Sequence, residues 1–251
     1  MRALLFFFLL VSAGAHAGDL PDTVESIKRA IVAVGTLQPD RAPPVIFRGT
    51  GFVVADGTHV VTNAHVLPHA LDIREKEKIV VFSGKGDEAE ALDAKAIAVD
   101  TEHDLALLKI SGPPRPAVRF GDSSLAREGD SLAFTGFPIG VVLGYYPATH
   151  RATLSAITPI VIPAAHSEQL SAESIRRLRT PFTVFQLDAT AYPGNSGSPL
   201  YRPESGKVVG IVNMVFVKST KEHILSDPSG IAYAIPGDYI VSLIRKAGLS
   251  P

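Results

Sequence analysis

The pattern of apolar and polar positions changes character twice along the chain. Ala3 to Val11 is an unbroken apolar run rich in Leu and Phe, with the charge of Arg2 in front of it. Ser12 to Ala17 follows and ends in Ala15-His16-Ala17. A positive start, a short apolar core and an A-x-A-like end are the parts of a secretory signal peptide. The run is shorter than the ~20 residues a membrane-spanning helix needs. A signal peptide at 1–17 is therefore expected, with the domain occupying 18–251. From Asp22 to Ala33 the apolar positions Val24, Ile27, Ala30 and Ile31 suggest a short helix running into a strand. After that the period drops toward two, and β-branched runs alternate with Gly, Pro and Asp turns.

That alternation predicts strands near 30–35, 47–54, 60–62, 79–83, 94–99 and 105–110. A second set is predicted near 131–136, 148–156, 182–187, 199–201, 208–217 and 232–235. Between the sets, 111–117 reads SGPPRPA, and its three prolines cannot sit inside a helix or a central strand. The expected architecture is all-β: two six-stranded antiparallel β-barrels, the first about 30–112 and the second about 121–236, joined by a linker at 111–120. Two stretches break the β pattern. Ser167 to Leu178 places Leu170, Ile175 and Leu178 at near-helical spacing. A C-terminal helix at about 238–247 would turn Tyr239, Ile240, Leu243 and Ile244 to one side and stop at Gly248.

Composition narrows the function. The chain has 251 residues, 46% of them hydrophobic, which is enough to build a core without covalent staples. Lys+Arg is 24 and Asp+Glu is 25, a net charge of −1. This balance argues against a basic nucleic-acid surface. The absence of Cys excludes disulfides, thiol catalysis, Cys-ligated metals and a lipoprotein anchor.

Three polar islands stand out against the apolar pattern: Thr62-Asn63-Ala64-His65-Val66, His103-Asp104 opening the run Leu105 to Leu108, and Pro193-Gly194-Asn195-Ser196-Gly197-Ser198-Pro199. A serine hydroxyl is a poor nucleophile unless an adjacent base takes its proton, and imidazole, with an ordinary pKa of ~6.5, suits that task. The imidazole in turn needs a buried carboxylate to fix its tautomer, and the tetrahedral oxyanion needs backbone donors. Glycine on both sides of Ser196 permits a sharp turn that aims N–H groups at one oxygen. Each island alone is more often structural: a strand-end His, an Asx turn, a loop. Their conjunction in the order His, Asp, Gly-flanked Ser is what points to chemistry. It puts His65 and Asp104 on the first β set and Ser196 on the second, with a cleft between.

Other constellations fail on their own terms. His65 and His69 are four apart like a zinc pair, but Pro68 breaks the helix that would stack them and the Glu of H-E-x-x-H is missing. No metal or other cofactor is expected. Gly194 to Ser198 misses the G-x-S-x-G elbow at its last position, and the chain order is wrong for that fold. Arg74 to Lys78 reads as a solvated turn of mixed charge.

The segments GTGFVV (49–54), TNAHV (62–66), DLALLKI (104–110), GFPIG (136–140), PGNSGSPL (193–200) and GIAYAIP (230–236) resemble the trypsin-like serine peptidases, the bacterial HtrA type above all. The resemblance covers nearly all of the chain beyond the signal. It implies Ser196 as nucleophile, His65 as general base and acid, Asp104 as the orienting carboxylate, and the N–H groups of Gly194 and Ser196 as the oxyanion hole. Departures accompany it. Ser198 stands where HtrA-type enzymes usually have Gly, as in glutamyl endopeptidases. Only Gly237 to Pro251 follows the last expected strand, too little for the PDZ domain such proteins usually carry. Asn195 replaces the Asp that digestive relatives pair with a new N-terminus, so activity is expected without cleavage at Ile31-Val32.

The substrate pocket implied by the resemblance involves Thr190, Asn213, Met214 and Val215. Thr190, a neutral hydroxyl, would not balance Lys or Arg, and Val215 would shorten the pocket, favouring small or medium apolar residues before the cut. A glutamyl-endopeptidase-like preference and a latent, non-catalytic polypeptide binder on the same fold stand as alternatives. The expected partners are polypeptide substrates, in the periplasm or outside the cell. No nucleic acid and no stable membrane anchor after signal removal are expected, and an oligomer is left open.

Overall fold

The computed structural model describes residues 20–139, 144–159, 182–213 and 230–251. The expected signal peptide, the helical stretch at 167–178, Met214, Val215 and the end of the expected strand 208–217 lie outside the described residues.

Helix α1 (Leu20–Lys28) precedes a first barrel of β1 (Ile31–Leu37), β2 (Val45–Val54), β3 (His59–Asn63), β4 (Lys78–Ser83), β5 (Glu90–Asp100) and β6 (Leu105–Ile110). The second contains β7 (Ser131–Gly136), β8 (Ala148–Pro159), β9 (Thr183–Asp188), β10 (Pro199–Tyr201), β11 (Val208–Asn213) and β12 (Ile231–Pro236), followed by helix α2 (Gly237–Lys246). The strands close in the orders β1-β2-β3-β6-β5-β4 and β10-β11-β12-β9-β8-β7. Every pairing between named strands is antiparallel. Two six-stranded antiparallel barrels with a helix before and a helix after are what the hydrophobic pattern called for.

The differences have local causes. The leading helix ends at Lys28 because Ile31 to Val34 are claimed by β1, which pairs with β2 on one side and β4 on the other and is buried on both faces. Strand β5 starts at Glu90 rather than near 94. Only Leu92 is buried in its first half, and the flanking Glu90 and Asp93 face outward, so the apolar signal there is faint. Within the charged run, Glu77 is not simply solvated. It folds back to accept a hydrogen bond from Arg41 at 2.8 Å, and the backbone N–H of Asp72 and the Arg41 guanidinium hold its carboxyl below the usual range.

Two apolar clusters form the interior. One fills the second barrel around Leu132, Phe134, Leu154, Leu187 and Val212. The other runs from the first barrel (Phe52, Leu105, Leu107) across the seam to Phe137, Tyr201 and Ile235, and takes in Ile27 of α1 and Ile240, Leu243 and Ile244 of α2. The seam between the barrels is thus part of a continuous core, which holds the two halves in one fixed relation.

Candidate active site

Strand β3 pairs with β6 so that Asn63 lies opposite Leu105. The residues just beyond this paired edge are a 3₁₀ turn, Ala64–Val66, and Asp104. Adjacent strand ends therefore bring His65 to Asp104, although 39 residues separate them in sequence. The contact has two points: Asp104 Oδ1 accepts the backbone N–H of His65 at 2.8 Å, and Oδ2 meets His65 Nδ1 at 2.5 Å. One carboxylate thus fixes both the position of the turn and the orientation of the ring.

Asp104 is 8% exposed and has φ +53°, in the left-handed region. A non-glycine residue held there costs about 1–3 kcal/mol and persists only when its surroundings over-determine it. Its carbonyl accepts from Ala64 N at 3.0 Å and from Asn63 Nδ2 at 3.1 Å, and its Oδ2 accepts from Asn213 Nδ2 at 2.6 Å. Asn213 was expected in the wall of the substrate pocket. Its side chain is fully buried, with Nδ2 turned to Asp104. The sequence could not reveal this, because the contact spans 109 residues.

Ser196 sits in a turn between β9 and β10 and is 5% exposed. The turn is seated on the first barrel through Thr50 of β2. Thr50 N donates to Ser196 O at 2.8 Å, Thr50 Oγ1 donates to Gly194 O at 2.7 Å, and Phe137 N donates to the same Oγ1 at 3.0 Å. Thr62, three residues before His65, donates to Thr50 O at 2.7 Å. Space at Gly49 shows how close the parts come: a Cβ there would lie 2.7 Å from Val66 Cγ2 and 3.0 Å from Ser196 O. The serine turn and the histidine strand end therefore meet across Gly49-Thr50. The sequence flagged GTGFVV as a motif without assigning Thr50 a task.

The orientation of the two expected oxyanion donors follows from their carbonyl partners. Pro193 O accepts from Ile139 N at 2.7 Å, and Asn195 O accepts from Ser198 N at 3.0 Å. A trans peptide carries C=O and N–H on opposite sides. Holding Pro193 O against Ile139 therefore turns Gly194 N–H the other way, and among the described residues that N–H makes no hydrogen bond. The same reasoning turns Ser196 N–H away from Ser198. Gly194 has φ +100° and Gly197 φ +90°, conformations that favour glycine. Ile139, at φ +60°, adopts one without that freedom, a rare state for a β-branched residue.

Thr190 lies half-buried in the segment leading from β9 to this turn. The described residues hold no cluster of three or more metal-ligating side chains. No helix among them is long and apolar enough to cross a membrane.

Residues 49–211 match the family described as trypsin-like peptidase domain, and the chain belongs to that family. Among curated proteins it is similar to probable periplasmic serine endoproteases described as DegP-like. One, from Rickettsia prowazekii (strain Madrid E), is 29% identical over 238 residues, covering 94% of this chain and 40% of the relative. One from Brucella suis biovar 1 (strain 1330) is 33% identical over 219 residues, covering 84% of this chain and 36% of the relative. The chain thus spans well under half the length of these relatives. Among solved structures, the fold is shared with the active form of the Rv3671c protease from M. tuberculosis (TM-score 0.65, 22% identity, 91% of this chain and 85% of that one). It is also shared with the HtrA-type protease AlgW with tripeptide (TM-score 0.67, 24% identity, 91% and 63%).

Proposed function

We propose that the chain is a serine endopeptidase of the HtrA type, working in the periplasm or outside the cell after loss of residues 1–17. The observation that carries the reading is the two-point hold of Asp104 on His65, with the serine turn seated on Thr50 of the neighbouring strand β2. In this reading Ser196 Oγ attacks the scissile carbonyl while His65 Nε2 takes its proton. Asp104 keeps the Nδ1 proton in place and stabilises the imidazolium. The oxyanion forms against the N–H groups of Gly194 and Ser196. His65 then gives the proton to the departing amine, and water, activated by the same imidazole, releases the acyl group from Ser196. The alternative of a latent binder is disfavoured by the carbonyl of Pro193, whose bond to Ile139 N turns Gly194 N–H to the opposite side, as an oxyanion donor requires. Polypeptides with small or medium apolar residues before the cut are the proposed substrates, on the strength of neutral Thr190 and branched Val215.

A fluorophosphonate probe should label the wild-type protein and spare Ser196→Ala. Replacement of Ser196 or His65 by Ala is expected to lower kcat on the order of a million-fold, the scale seen when such a unit is broken. An unlabelled wild type would refute the peptidase reading, and a cleavage profile dominated by Lys, Arg or Glu would refute the pocket preference.

A further inference from the structure

His103 stands beside the acid and has no part in the chemistry above. It closes the turn between β5 and β6 by the same device that Asp104 applies to His65. Asp100 Oδ1 accepts the backbone N–H of His103 at 3.1 Å, and Asp100 Oδ2 meets His103 Nδ1 at 2.8 Å. Burial would raise the Asp100 carboxyl, but these two bonds and the nearby charges of His103 and Lys246 outweigh it, so the group stays below its ordinary value. The carboxylate is thus a charged acceptor for the ring.

The ring also has a second set of neighbours. It stacks on Tyr239 of α2 with centroids 4.1 Å apart and planes 23° apart. Phe182, at the entry to β9, meets it edge-on at 4.8 Å. Tyr239 and Phe182 touch each other at 5.6 Å. Two distant parts of the chain, at Phe182 and Tyr239, converge on one imidazole, and the next residue is Asp104 in its left-handed conformation. The bonds to Asp104 described above hold its carbonyl and its carboxylate. The turn that delivers its N-terminal side is held by Asp100 and by this aromatic stack.

We propose that His103 is a positioning residue for the catalytic acid, fixing through Asp100 and Tyr239 the turn that presents Asp104 to His65. It follows that docking of α2 is coupled to the competence of the triad. The proposal rests on the peptidase reading, and its test includes a signal that needs no turnover.

His103→Ala is expected to lower kcat roughly ten- to a hundredfold with KM little changed, because a displaced acid spoils alignment rather than binding. His103→Asn places an amide nitrogen near the position of Nδ1 and should recover most of the rate. His103→Phe keeps the stack but not the bond and should fall between. Tyr239→Ala should also lower kcat, and combining it with His103→Ala should add less than the two separate losses. Independently of activity, the low-field proton resonance of His65 Nδ1–H, assigned by its loss in His65→Ala, should shift or broaden in His103→Ala and return in His103→Asn. An unperturbed resonance in His103→Ala would overturn the proposal even if the wild type proved inactive. So would a kcat that does not change, a loss carried by KM, or additive losses with Tyr239→Ala. A wild type that shows the resonance yet resists the fluorophosphonate probe would count against the peptidase reading alone.

Discussion

Thr50 joins the two halves of the site through one side chain. Its hydroxyl donates to Gly194 O and accepts from Phe137 N, so it governs the turn that carries Ser196. Thr50→Val keeps the shape and removes both bonds. It is expected to cost about 1–3 kcal/mol of transition-state stabilisation, roughly ten- to a hundredfold in kcat, with Thr50→Ser retaining most of the rate in steady-state kinetics. Gly197 is less forgiving. A Cβ there would lie on Thr50 O, and φ is +90°, so Gly197→Ala should abolish probe labelling. At this scale the sequence was informative where chemistry demands a residue type. His65, Asp104 and Ser196 stood out because imidazole, carboxylate and hydroxyl at strand ends have few other uses in that order. The contacts of Thr50 and Asn213 were hidden because their partners lie 144 and 109 residues away, and nothing local marks a threonine or asparagine for them.

At the scale of elements, β-branched runs revealed most strands. The runs with weak apolar character were shortened: β5 lost its polar first half, and β2 begins at Val45, where its exposed and half-buried residues alternate. What the period does not encode is the bulge between Val34 and Gly35 in β1. There the strand passes so near β2 that a Cβ on Gly35 would sit 2.4 Å from Ile46 O. Gly35→Ala is expected to destabilise the protein by about 1–3 kcal/mol through overpacking, read as a lower urea midpoint with the m-value unchanged. The helix α2 was legible from its one-sided pattern, yet its contact with the turn before Asp104 was not, since Tyr239 on a helix face looks like any other aromatic anchor.

The whole molecule carries a graded response to acid. Several carboxyls lie below their ordinary values in the folded state. Asp56 is lowered chiefly by the hydroxyl of Thr58, Asp130 chiefly by the backbone N–H of Arg127, and Glu77 as described above. A carboxyl lowered on folding stabilises the protein above its unfolded pKa of ~4, and that contribution fades as pH falls through the folded value. His150 acts earlier. Burial beside Phe134 pushes its imidazole down, so the folded chain prefers it neutral. Protonation then favours the unfolded chain as pH drops below the ordinary imidazole value of ~6.5. A urea midpoint followed against pH should therefore begin to fall below about pH 6.5, ahead of the carboxylate phase near ~4. His150→Phe should remove the upper phase and leave the lower one; a wild-type midpoint flat between those two regions would refute the assignment.

The seat of Ser196 on Thr50 has a consequence for the life of the chain during synthesis. Ser196, the nucleophile of the proposed reading, belongs to the later-made half, while Thr50, which seats its turn, belongs to the earlier one. A growing polypeptide holding only the first barrel has the base and the acid but nothing for them to activate. One that has just added the serine still lacks a proper turn until its second barrel has closed on the first. On the proposed peptidase reading, cutting power therefore arrives only after the two barrels have closed on each other.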